Sequence, residues 1–74
     1  MSWILDQKYK NCYHIKNSND YTIGTVEFGE RSGRWHVTFY NHHPFDDSFV
    51  TEDTAYGYVK GIERCNAVDW GSYD

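Results

Sequence analysis

Six side chains with metal-binding or nucleophilic chemistry stand along the chain: Cys12, His14, His36, His42, His43 and Cys65. Structural zinc favours paired cysteines two to four residues apart, and Cys12 and Cys65 are far from that spacing. Cys12 and His14 share a strand face, but His36 falls on a later strand, two spacings or ~10 Å away if the strands are ordered sequentially. Solvated histidines are the expectation, with no metal. The carboxylate pairs Asp46-Asp47 and Glu52-Asp53 have the composition of an acid–base dyad. Glu52 and Asp53 suit a first helical turn, however, and Asp46 and Asp47 sit beside Pro44 in a loop, where solvated acids are ordinary. No glycine-rich phosphate loop, nucleophile elbow or His-Glu-x-x-His motif occurs. The expectation is a protein that is not an enzyme and takes no cofactor.

The remaining chemistry is that of surfaces. Fourteen aromatic residues (three Trp, seven Tyr, four Phe) exceed the ten Val, Ile and Leu in 74 residues. A single domain spanning 1–74 hides only about 60–65% of its unfolded surface, which leaves little core to give up to an enclosed cavity. The function is therefore expected on an outer face. Aromatic and β-branched residues suit a pleated, half-buried surface, so the chain should form a sheet with most of its rings as core. Charge is uneven: up to Tyr40 there are five basic and four acidic residues, and from Asn41 two basic and seven acidic, which sums to −4. A net negative chain repels nucleic-acid phosphates at long range. No apolar run reaches the ~20 residues of a membrane span, and Asp6 and Lys8 interrupt the region where a signal peptide needs an apolar core, so a cytoplasmic protein with no membrane partner is expected.

The elements that carry these residues follow from periodicity. Tyr9, Tyr13 and Ile15 within Tyr9 to Lys16 predict a first strand, and Asn17-Ser18-Asn19-Asp20 a tight turn. Tyr21 to Phe28 predicts a second strand whose apolar parity changes midway, which a bulge at Gly24 explains. After a turn at Glu30-Arg31-Ser32-Gly33, Arg34 to Tyr40 alternates cleanly, with Trp35, Val37 and Phe39 on one face. Thr51 is a helix N-cap with Glu52 and Asp53 in the first turn. Ala55, Tyr58, Val59, Ile62 and Cys65 then form one helical stripe. The expected fold is α+β: a three-stranded antiparallel sheet with one helix packed on one face (β-β-β-α), short irregular termini, and a loosely attached tail over 66–74. Cys12 on the open face and Cys65 on the packed stripe should not form a disulfide.

Gly33-Arg34-Trp35-His36-Val37, followed by Phe49-Val50-Thr51-Glu52 and Ala55, resembles the strand and "F-x-T-x-x-x-A" helix start of arm-type DNA-binding domains of phage integrases. Those domains also use three strands and a helix. The resemblance covers about half of the chain and implies nucleic-acid binding through the open sheet face, here His14, Lys16, Arg34, His36, Thr38 and Tyr40. Such a face needs several cations, and this one offers few.

The leading expectation is instead a small acidic, aromatic-rich protein-binding module, of the kind phage-encoded inhibitors use to dock on host proteins. Its partner should be a protein with a basic surface. The expected surface combines Asp46, Asp47, Glu52, Asp53, Tyr56, Trp70 and Tyr73 with the helical glycines Gly57 and Gly61. Each of these glycines costs about 1 kcal/mol against alanine, and each bares backbone for close approach by a partner or, in a homodimer, a second copy. Exposed Tyr and Trp are what interfaces enrich.

Overall fold

The computed structural model describes residues 3–66. Five strands form one sheet in sequential order: β1 (Ile4–Tyr9), β2 (Cys12–Lys16), β3 (Thr22–Gly29), β4 (Arg34–Phe39) and β5 (Asp47–Phe49). All neighbours are antiparallel. A single turn of 3₁₀ helix (His43–Phe45) precedes β5, and α1 (Glu52–Asn66) follows it. The expectation of three strands and an irregular N-terminus is overturned. What was read as one strand from Tyr9 to Lys16 is the end of β1, a turn at Lys10-Asn11 and then β2. Asn11 supplies the left-handed residue of that turn at φ 63°. Asp6-Gln7-Lys8 gives β1 no apolar alternation, because β1 is an edge strand whose residues from Gln7 to Tyr9 are exposed on both faces. β5 has only three residues, too few for any period.

The central strands behave as their patterns require. Tyr13 lies opposite Val26, Val26 opposite Val37, and Phe28 opposite Trp35, so one face is apolar across β2, β3 and β4. The parity change in β3 is a bulge. Ile15 pairs with Gly24 and Lys16 with Thr22, which leaves Ile23 as the extra residue and lets it be buried. Gly24 is required there: a Cβ would overlap the carbonyl oxygen of Thr38 and stand 3.2 Å from Cα of Phe39 and 3.3 Å from Cδ1 of Ile15. The β2–β3 turn is organised by Asn17, which is buried. Its Oδ1 accepts the N–H groups of Asn19 (2.9 Å) and Tyr21 (3.0 Å).

Helix α1 begins at its expected cap, where the Thr51 hydroxyl accepts the Thr54 N–H at 3.2 Å. Ala55, Val59 and Ile62 are buried beneath it, against β4 and β5, and the helix occupies one face of the sheet. Cys65, expected on the packed stripe, is exposed instead, and Cys12 is half-buried; the two are unbridged. Asn66 closes the helix rather than opening a tail, and 67–74, with Trp70 and Tyr73, lie outside the described residues. Among the described residues the largest fully buried side chain is Trp3, its ring centroid 6.1 Å from that of Phe39. The helix fixes it by the backbone: Glu63 accepts the Trp3 N–H at 2.6 Å, Lys60 donates to the Trp3 carbonyl, and Lys60 and Glu63 pair at 3.4 Å. Among the described residues, no helix is long and apolar enough to cross a membrane.

One substitution should have opposite signs at two places. Gly24→Ala forces the β3–β4 pair apart and should cost more than ~2 kcal/mol. A Cβ at Gly57 or Gly61 meets nothing within 4 Å, so Gly57→Ala or Gly61→Ala should add about 1 kcal/mol. Chemical denaturation measures both. A neutral Gly24→Ala would remove the close approach of β3 and β4.

Candidate functional site

The helix leaves part of the sheet's apolar face uncovered, and there a recess of about 180 Å³ opens, lined by Leu5, Tyr13, Val26, Glu52, Asp53 and Tyr56. Its floor comes from three adjacent strands. The registers Leu5 to Ile15 and Tyr13 to Val26 put Leu5, Tyr13 and Val26 on the same side as the core. Its roof is the first turn and a half of α1, oriented by the Thr51 cap. Tyr56 follows Glu52 by four residues and so stands on the same flank of the helix.

The recess is acidic at its mouth and aromatic on its walls. The Glu52 carboxylate, hydrogen-bonded to the Tyr13 hydroxyl, raises the pKa of that phenol, and desolvation adds to the shift. The Tyr13 ring lies 6.4 Å from that of Trp35, which braces it from the core side. The Lys60 ammonium stands 5.9 Å from the centroid of the exposed Tyr56 ring. It combines the apolar side chains of Leu5 and Val26, the rings of Tyr13 and Tyr56, and the acidic residues Glu52 and Asp53.

The expected docking residues divide. Glu52, Asp53 and Tyr56 meet at the recess, whereas Asp46 and Asp47 do not line it and belong to the β5 edge of the sheet. Asp46 accepts the Phe39 N–H at 2.9 Å and faces His43 Nδ1 at 3.2 Å, and Asp47 accepts the Ser48 N–H at 2.8 Å. Asp46 thereby ties the connection between β4 and β5 to the end of β4, and Asp47 bonds its own neighbour within β5. Burial first, then the charges of Asp47 and Asp46, push the Tyr58 phenol up, while its hydroxyl donates to the Phe45 carbonyl at 2.6 Å. Gly57 and Gly61 face open space on the outer side of the helix.

The open sheet face carries His14, Lys16, Arg34, His36 and Thr38 as expected, but its cations are engaged. Lys16 lies 3.4 Å from Asp6 and 3.6 Å from Asp20, and the Asp6 contact raises its pKa. Lys8 is 3.1 Å from Asp6, and the hydrogen bonds of Lys8 and then Lys16 hold the Asp6 carboxyl below its usual value. Arg34 donates from Nε to Ser48 Oγ and from Nη2 to the Ser48 carbonyl, both at 2.9 Å, stapling β4 to β5. Ser32 Oγ and His36 Nε2 are 2.7 Å apart across the β3–β4 turn. Thr38 lies opposite Thr25, and Tyr40 is exposed beyond the end of β4. Among the described residues, no three of His, Cys, Asp and Glu are placed to hold a metal ion.

Leu5, Tyr13 and Val26 escaped sequence reading as site residues because periodicity tells which face a side chain takes, not whether another element covers it. The turn-forming Lys10-Asn11 was the available signal: read as a hairpin, it brings Leu5 beside Ile15. No protein-family model, curated protein sequence or solved structure matches this chain.

The Tyr13–Glu52 bond sets a pH dependence. A phenol whose folded pKa is raised lends stability fully below its unfolded value of about 10 and loses it as pH rises through the folded value. An ultraviolet phenolate titration should show Tyr13→Phe removing a late-titrating group and Glu52→Gln moving that group toward about 10. An unchanged curve for Glu52→Gln would deny the bond.

Proposed function

We propose that this protein is a small docking module that binds, and in doing so blocks, a basic surface on a partner protein through the N-terminal half of α1 and the recess beneath it. The observation that supports this most is the contrast between its two faces. On the open sheet face each of Lys8, Lys16 and Arg34 is already held by Asp6, Asp20 or Ser48. At the recess Glu52, Asp53 and Tyr56 stand exposed around a concave apolar floor. Nucleic-acid binding draws its affinity from cations free to displace counterions at phosphates. Protein docking draws it from a few aromatic anchors, with rim charges setting the rate of encounter. Tyr56 is such an anchor, and Asp46 and Asp47, at the opposite edge, add to the negative field that steers a basic partner.

Binding to short arginine- and lysine-containing peptides, compared with duplex and single-stranded DNA at low and moderate salt, tests the reading. The peptides should bind, Tyr56→Ala should weaken them by more than ~1 kcal/mol, and Asp46→Asn with Asp47→Asn should chiefly slow association. DNA binding that falls steeply with salt and is lost in Lys16→Ala or Arg34→Ala would replace this reading with nucleic-acid recognition by the sheet.

A further inference from the structure

We infer that Ser32 is a nucleophile, with His36 as its base, that takes an acyl group from an activated ester. The pair stands at the β3–β4 turn, on the open sheet face and away from the recess. Ser32 Oγ and His36 Nε2 are 2.7 Å apart, within the roughly 2.6–3.2 Å at which a base can take a nucleophile's proton. The serine's other contacts give that bond its direction. Its oxygen accepts the Arg34 N–H at 3.3 Å, and its own proton has two acceptors, His36 Nε2 and the Gly29 carbonyl at 3.3 Å. The imidazole is the closer of the two and receives the stronger bond.

Gly29 is an independent observation at the same place. Its φ is not in the left-handed region, so its backbone does not call for glycine, and a glycine in a strand weakens it. A Cβ there would stand 2.8 Å from His36 Nε2, 2.9 Å from His36 Cδ2 and 2.9 Å from Ser32 Oγ. The missing side chain is what lets serine and imidazole meet. Glu27 lies directly opposite His36 in the β3–β4 register, which puts a carboxylate on the same face, about 5 Å away at Cβ, to offset charge that forms on the ring. Ser32 is exposed and His36 half-buried, so a small ester reaches the oxygen without a pocket. In the step, Ser32 Oγ bonds the carbonyl carbon and the ester C–O bond breaks, its electron pair departing with the leaving group. The proton passes from Oγ to His36 Nε2 and on to solvent.

The test treats the full chain with p-nitrophenyl acetate and locates each acetyl group by mass spectrometry of proteolytic peptides. Ser32 should be acetylated at least about tenfold faster than the exposed Ser18, the low end of what a positioned base supplies. His36→Gln should slow Ser32 about tenfold and leave acetylation of the lysines unchanged. Gly29→Ala keeps both groups and separates them, since the new methyl displaces side chains and no backbone atom. It should slow Ser32 by a similar factor, which serves as the second variant should His36→Gln disturb the sheet. Acetylation of Ser32 no faster than of Ser18, or a rate that neither variant lowers, would overturn the assignment and leave the contact as a tie within the turn. Either result leaves the docking reading standing, because that reading uses the opposite face.

Discussion

One helix has to cover a five-stranded sheet, and it is too small to do so. A helix of fifteen residues is about 22 Å long and 10 Å wide, whereas five strands span roughly 20 Å from edge to edge. The chain resolves the mismatch by placing α1 over β4 and β5 and bringing Trp3 in beside it. Lys60 and Glu63 fix that ring's backbone on both sides, which joins the C-terminal half of the helix to the start of β1. Among the described residues, Leu5 of β1 and Tyr13 of β2 are left half-buried beside the first turn and a half of α1, whereas Ile15, Ile23 and Val26 are buried. The recess is therefore a product of the covering geometry.

The same constraint explains why polar groups cluster where they do. With so little core, each exposed margin of the sheet is closed by a local polar contact: Asn17 at the β2–β3 turn, Arg34 across to Ser48, and Asp46 onto the Phe39 N–H. These contacts engage Arg34 and Asp46 in holding the fold. Glu52 and Asp53 do double service, stabilising the helix N-terminus and leaving the recess negative.

The fold was legible where a residue's neighbours are local. β4, the Thr51 cap and the bulge, at Ile23 beside the expected Gly24, follow from alternation, capping chemistry and a parity change that no regular strand allows. Edge elements were not legible. Asp6 and Lys8 in β1 face water and each other, and Trp3 owes its burial to Glu63, sixty residues away. Of the site, Glu52, Asp53 and Tyr56 were readable as exposed acid and ring. Tyr13 and Leu5 were not, since a side chain on the apolar face becomes a site residue only where the helix stops short of it.

The claim that the uncovered corner of the sheet is where this protein meets a cationic group is tested most directly by paramagnetic relaxation. Amide relaxation would be measured with a positively charged nitroxide and with its neutral counterpart. The difference between the two removes general exposure and reports where positive charge gathers. It should be greatest at Leu5, Tyr13, Glu52 and Tyr56. A difference that merely follows the exposed acids, as large at Asp46 and Asp47 as at the recess, would contradict it.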